Sequence, residues 1–449
     1  MTDFTTLGLS ANTLSAIATL GYATPTPIQR EAIPHILAGR DLMGLAQTGT
    51  GKTAAFGLPL IERLVKEEGR PFPRTARSLI LAPTRELVNQ IAANLKTYVK
   101  GSKITVVSVV GGASINAQSQ NLQRGADILV ATPGRLIDLT ERRAVSLREV
   151  KFLVLDEADQ MLDLGFIHAL KRIAAMLGPK RQTLLFSATM PKLIADLSKT
   201  YLTDPVRVEV SPSGRTADKV SQSAHIVGPR NKADMLKRLL SERPDALSLV
   251  FARTKHGAEK LMKGLVAHGL SAASIHGNKS QGQRERAIGA FRSGETRVLV
   301  ATDVAARGID IPGVTHVYNY DLPDVAESYV HRIGRTARAG REGEAVALVS
   351  HEDVPLLRAI ERLTGITVDV ASGAEHLPAP GTRFPSPQRP ARGRPQPARP
   401  QRKPAAAQPH HKPGDSRPAS GEHRGDARPQ GDKARPKGNW KRRRASRAA

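Results

Sequence analysis

The run Asp41-Leu-Met-Gly-Leu45 opens directly into Ala46-Gln-Thr-Gly-Thr-Gly-Lys-Thr53, and Ala54-Ala-Phe56 then begins a helical stretch. An apolar strand, a glycine-rich loop and a helix N-terminus in that order make a phosphate cradle. Glycine lets backbone N–H groups come close to phosphate oxygens, and the positive end of the helix dipole favours the anion. In such a loop Lys52 reaches the terminal phosphates and the Thr53 hydroxyl holds Mg²⁺. The generic pattern has glycine where this chain has Ala46. A plain Gly/Thr turn is the competing reading, and the strand–loop–helix context already favours the phosphate cradle over it. A second group favours the phosphate reading: the apolar run Phe152-Leu-Val-Leu155 ends in Asp156-Glu-Ala-Asp159. There Asp156 would complete the Mg²⁺ shell, and Glu157 would orient or deprotonate an attacking water. Standing alone, those carboxylates would read equally well as an acidic helix start that suits the dipole.

Short runs rich in Val, Ile and Leu recur around these two groups and alternate with helical stretches. Strands are expected at 41–45, 78–81, 104–110, 128–131, 152–155 and 183–186, with a second series at 247–251, 272–275, 298–301, 316–319 and 345–349. Continuous apolar runs separated by helices imply parallel sheets covered on both faces. Between the two series, Ser211-Pro-Ser-Gly-Arg-Thr-Ala-Asp218 is small, polar and rich in breakers, which suits a hinge. The expectation is an α/β chain with one lobe over residues 1–210, a linker at 211–218 and a second lobe over 219–373.

Residues 374–449 differ in kind. They hold 19 Lys+Arg against 5 Asp+Glu, a net charge of +14, with 14 prolines and only Leu377, Phe384 and Trp440 as large apolar residues. Such a segment buries too little surface to offset its ordering entropy, so a disordered basic tail is expected. The whole chain of 449 residues carries +26, which favours a polyanionic partner. Without cysteine, disulfides, thiolate zinc sites and cysteine nucleophiles are excluded. The uncharged stretch 104–123 turns polar after Gly112 and falls short of a membrane span. The start, MTDFTTLGLS, has neither a basic n-region nor an apolar h-region, so a cytoplasmic location is expected.

With these groups in place, the chain resembles a bacterial DEAD-box ATP-dependent RNA helicase, a family built from two tandem RecA-like lobes. Asp156-Glu-Ala-Asp159 matches the eponymous motif, and the loop from Ala46 to Thr53 matches the family's own version of the phosphate loop, alanine included. The resemblance continues in order through Gly21-Tyr-Ala-Thr-Pro-Thr-Pro-Ile-Gln29, Pro83-Thr-Arg-Glu-Leu87, Gly111-Gly112, Thr132-Pro-Gly-Arg135 and Ser187-Ala-Thr189. In the second lobe it runs through Val250-Phe-Ala-Arg-Thr254, Gln281-Gly-Gln-Arg284, the stretch from Thr302 to Asp310, and His331-Arg-Ile-Gly-Arg-Thr-Ala-Arg338. Leu7-Gly-Leu-Ser10, the run from His276 to Gln281 and the basic tail are most similar to the RhlE-like subgroup. One departure is Ala337, where the family has glycine; the methyl group is tolerable if φ is negative there.

The resemblance implies a role for each matching residue. ATP with Mg²⁺ would be held by Gln47, Thr48, Gly49, Thr50 and Gly51 beside Ala46, Lys52 and Thr53. The Gln29 amide would pair with adenine, donating to N7 and accepting from N6. Phe4 would stack on the base, although a hydrophobic staple into the first helix is the competing reading. Asp310 would accept from the ribose, and Arg335 and Arg338 would reach the γ-phosphate from the second lobe, with His331 coupling water and interface. Pro83, Thr84, Arg85, Gly112, Thr132 and Arg135, together with Arg253, Thr254, Gly277 and Thr302, would touch the RNA backbone without reading bases. Ser187 and Thr189 would link the two sites. The implied activity is local, non-processive unwinding of short duplexes driven by ATP hydrolysis, with ribosome-assembly or RNA-decay machinery as candidate partners. The alternatives are an ATP-gated RNA clamp with little unwinding, a DNA-directed motor of the same superfamily, and a tail that is only a solvated charge run.

Overall fold

The computed structural model describes residues 3–47, 49–67, 69–210, 220–306, 311, 313–337 and 342–376. The expected hinge at 211–218 and nearly all of the expected tail lie outside them.

Parallel strands form where Val, Ile and Leu run continuously. In the first lobe these are β1 (Leu42–Leu45), β2 (Ala76–Leu81), β3 (Val106–Val109), β4 (Ala126–Ala131), β5 (Phe152–Leu155), β6 (Gln182–Ser187) and β7 (Val206–Glu209). They pair in the order β3-β4-β2-β5-β6-β1-β7. The second lobe holds β8 (Val220–Ile226), β9 (Ser248–Phe251), β10 (Ala272–Ile275), β11 (Val298–Ala301), β12 (His316–Asn319), β13 (Gly343–Val349) and β14 (Asp369–Ser372), ordered β10-β11-β9-β12-β13-β8-β14. Each strand of the second order follows its counterpart in the first by seven labels, so the same topology is built twice.

Both faces of each sheet are buried, and the strand period sorts side chains between them. Ile80 and Val154 enter one core of the first lobe, while Leu79, Leu81, Leu153 and Leu155 enter the other. In the second lobe Val250 faces one core and Leu249 and Phe251 face another. Helices start at side chains that accept otherwise unpaired N–H groups. Thr26 and Gln29 form a capping box on the helix Pro27–Leu37, and Ser280 with Gln283 does the same for Gln281–Ser293.

All the expected strands are present, with ends displaced by at most two residues. Three were not expected: β7, β8 and β14. β7 and β14 are sheet edges, and β8 reads Val-Ser-Gln-Ser-Ala-His-Ile. Edge strands need no continuous apolar run, and β8 is held by backbone pairing to β13 along its whole length.

Candidate active site

Every expected site residue of the first lobe that follows a strand sits beyond that strand's C-terminal end, where parallel α/β sheets open their ligand crevices. Strand order then sorts the expected residues into two groups. β1, β6 and β5 are neighbours and carry the phosphate loop, Ser187 and the Asp156–Glu157 pair. β2, β4 and β3 are neighbours and carry Thr84, Thr132 and Gly112.

A cleft of about 370 Å³ gathers Gln29, Gly49, Gly51, Lys52, Thr53, Asp156 and Glu157. Lys52 is 5% exposed; its ammonium donates to the Ala46 carbonyl at 3.1 Å and stands 3.8 Å from Asp156 Oδ1. Gly51 has φ of 90°, and a Cβ there would come within 2.5 Å of Gln29 Nε2. That close approach is why the loop needs glycine at this position. The Gln29 amide accepts from the Thr26 N–H at 2.9 Å and donates to the Gly51 carbonyl at 3.1 Å. One further N–H and one further lone pair of the amide remain to meet a base edge.

Asp156 and Glu157 are each 2% exposed. Glu157 takes a left-handed backbone, φ 51°, and its N–H donates to Asp156 Oδ1 at 3.0 Å. Such strain is typical of reacting positions. Burial, only partly offset by the Lys52 ammonium and reinforced by Glu157, lifts the Asp156 carboxyl to about 6. Its desolvated oxygens and the nearby Thr53 suit a hard cation. Among the described residues no cluster of three His, Asp or Glu could hold a metal. Mg²⁺ would therefore be held by few protein oxygens together with the substrate's phosphates. A cation needs the carboxylate, so below about pH 6 protonation competes with it and above that it does not. Apparent affinity for the Mg²⁺–nucleotide should then fall by up to about tenfold per unit as pH drops below 6, measured by fluorescent-nucleotide titration.

Asp159, given no role by the sequence reading, ties the end of β5 to the end of β6. Its Oδ2 accepts from the N–H groups of Ala188 and Thr189, both at 3.0 Å, and from the Thr189 hydroxyl at 3.1 Å. Ser187 donates to the Thr189 carbonyl at 2.7 Å. Tyr22 and Tyr98, with hydroxyls 3.1 Å apart, also line the cleft without having been expected there. Phe4 does not line it. The ring is 3% exposed in the first lobe's core, so stacking on a base would require it to turn out.

In the second lobe, Arg335 and His331 line a small cavity with Phe251, Asp303 and Arg332. Arg335 Nε donates to the His331 carbonyl at 3.3 Å. Beneath it Arg332 makes two bonds to Asp303, 2.5 and 2.7 Å, and lies 4.9 Å from the Phe251 ring centre. These contacts give Arg335 a rigid base. Thr48, Asp310 and Arg338 lie outside the described residues. Ala337 has φ of 54°, contrary to the negative angle under which its methyl group would cost nothing. Ala337→Gly should raise the urea midpoint of the second lobe by the equivalent of about 0.5–1 kcal/mol.

The residues expected to hold RNA fall into two sets. Arg85 packs on Gly112, and Arg135 donates to the Ala113 carbonyl at 3.0 Å. Thr84 and Thr254 cap helices by accepting from Leu87 and Gly257 at 3.2 and 3.0 Å, which leaves each hydroxyl hydrogen for a phosphate. Pro83 and Thr132 are buried, Thr302 is half-buried, and Arg253 and Gly277 are exposed. Among the described residues two contacts join the lobes on this side, and neither was expected. Arg284 Nε lies 3.1 Å from Glu86 Oε1, with the side chains 12% and 9% exposed. Arg85 reaches Gln281 Oε1 at 3.5 Å.

A buried lysine loop, a strand-end carboxylate pair and a second lobe presenting arginine define a two-lobed nucleoside triphosphatase. Family comparison is consistent with this. Residues 26–197 match the DEAD/DEAH box helicase model, and residues 231–340 match the helicase conserved C-terminal domain. The ATP-dependent RNA helicase CshA of Limosilactobacillus reuteri is 45% identical over 363 residues, covering 81% of this chain and 72% of that one. CshA of Bacillus cereus is 42% identical over 369 residues, covering 82% and 69%. Among solved structures, S. cerevisiae Dbp5 bound to RNA and ADP BeF3 superposes with a TM-score of 0.75 at 33% identity, over 83% of this chain and 96% of that one. The chain belongs to the DEAD-box ATP-dependent RNA helicases, ATP hydrolases that act on RNA.

Proposed function

We propose that each lobe holds half of the ATPase and half of the RNA groove, so that ATP and RNA both favour closure and each strengthens binding of the other. The observation that carries this is the division of labour along the sheet. The residues assigned to the nucleotide follow β1, β5 and β6, those assigned to RNA follow β2, β3 and β4, and Asp159 with Thr189 ties together the ends of β5 and β6. Lys52 and Thr53 orient the phosphates, Glu157 holds or deprotonates the attacking water, and Arg335 completes the site from the second lobe. When bound, Mg²⁺ supplies charge neutralisation beside Asp156 and Thr53. Backbone contacts from Arg85, Arg135 and Arg253 bind without reading sequence, and 2′-OH contacts favour RNA over DNA. Closure then separates a short duplex locally rather than by tracking. A strand-release assay tests this: a short RNA duplex should open with ATP, and a matched DNA duplex should not. ATP-dependent RNA binding with no strand release would favour the clamp reading instead.

The tail extends the proposal as a sequence-tolerant tether. Its basic residues stand among prolines and can neutralise phosphates without a fixed register. Deleting residues 374–449 should leave saturated turnover nearly unchanged and weaken RNA binding. The plot of log K against log salt should become shallower by ~0.7 per lost contact on a single strand. Among the described residues no helix is long and apolar enough to cross a membrane. A cytoplasmic enzyme working on large RNAs, as in ribosome assembly or RNA decay, fits this design. Leu7-Gly-Leu-Ser10, the run from His276 to Gln281 and the tail support an RhlE-like place. The two bacterial relatives above carry the name CshA, and a tree that nests this chain among CshA proteins would overturn that placement.

A further inference from the structure

The opposite end of the first lobe's sheet carries an open groove of about 770 Å³ that the ATPase and RNA sites do not use. It is formed by the segments that lead into β2, β5 and β6, at the strands' N-terminal ends. Arg74, Arg143 and Arg148 line it, and all three are exposed. Among the described residues none of the three has a carboxylate partner. Two neighbouring acids are already engaged, Asp138 by Arg135 and Arg142, and Glu141 by Arg172. Between the arginines, Val145 and Leu147, 3% and 2% exposed, form an apolar floor with the half-buried Leu177.

The groove is preformed. Arg181 donates to the Gly178 carbonyl at 2.8 Å and pins the loop on one side. A Cβ on Gly178 would stand 2.6 Å from the Arg148 carbonyl oxygen, so only glycine allows this approach. Arg74 and Arg143 are held at φ of 55° and 54°, a strain that nothing in the nucleotide or RNA sites requires.

We propose that this groove docks an acidic peptide segment of another protein, with apolar side chains on the floor and carboxylates on the arginines. Charge complementarity selects the occupant. Arginines form forked bonds with carboxylates, and the chain's own tail, at +14, is repelled. The floor is aliphatic, which suits Leu or Val side chains better than the aromatic stacking that unpaired bases seek. Because the site lies at the far end of the strands, a partner can remain docked while ATP is hydrolysed and RNA is released.

The test uses the full chain saturated with single-stranded RNA and a non-hydrolysable ATP analogue, so that the tail and RNA groove are occupied. The probe is a fluorescent peptide alternating aspartate with leucine, read by anisotropy. A matched peptide alternating aspartate with serine reports charge alone. The parent should bind the leucine peptide at least about tenfold more tightly than the serine peptide. Arg148→Glu, alone or with Arg143→Asn, which suits the left-handed backbone, should weaken leucine-peptide binding by about tenfold or more. RNA-stimulated ATPase should stay at the parental level in both variants. Equal binding by parent and variants, equal binding of the two peptides, or no binding would overturn the proposal. If the variants instead lost RNA affinity in step with the peptide, the groove would be an RNA surface.

Discussion

Lys52→Ala is expected to lower ATP binding and turnover by at least about a hundredfold, because no other side chain of the phosphate loop supplies a cation there. The effect has a second source. Lys52 is the main influence holding the buried Asp156 carboxyl down, so removing it drives that group further toward its neutral form and away from cation binding. Nucleotide affinity by fluorescence titration and steady-state phosphate release measure the two parts separately. Turnover at the parental rate would remove Lys52 from the site.

Arg335→Ala is expected to cut RNA-stimulated hydrolysis by ~10³-fold or more while nucleotide binding to the first lobe stays close to parental. The split follows from position: the cleft proposed for the nucleotide is lined by first-lobe residues, whereas Arg335 stands on the second-lobe base formed by Arg332, Asp303 and Phe251. Arg335→Lys should recover little, since an ammonium lacks the planar fork that meets phosphate oxygens. An equal loss of binding and turnover would indicate a structural role for the side chain.

What the sequence made legible follows from physics that is local in the chain. β5 was readable because four buried apolar residues run directly into Asp156, and β1 because it runs into the glycine loop. Their chemistry is carried by residue type and adjacency. β7, β8 and β14 were not readable because polar or alternating residues are tolerated where backbone pairing, not two-sided burial, holds the strand. The ion pair between Glu86 and Arg284 joins segments far apart in the chain, and no spacing rule links them. Asp159 was visible as part of a motif, but its bonds to Ala188 and Thr189 depend on β5 and β6 being neighbours. Phe4 shows the reverse case: its position in the motif suggested a base contact, whereas its ring lies in the first lobe's core. The left-handed angle at Ala337 could not be read from residue type, because alanine seldom adopts it.

Hydrolysis is expected to require both lobes, brought together by RNA. Steady-state ATP hydrolysis by the full chain and by residues 1–210, each with and without single-stranded RNA at one stated salt concentration, tests it most directly. Strong stimulation by RNA is expected in the full chain, little by matched single-stranded DNA, and none in the fragment, which should still bind nucleotide weakly. RNA-independent turnover in the full chain, or RNA-stimulated turnover in the fragment, would contradict it.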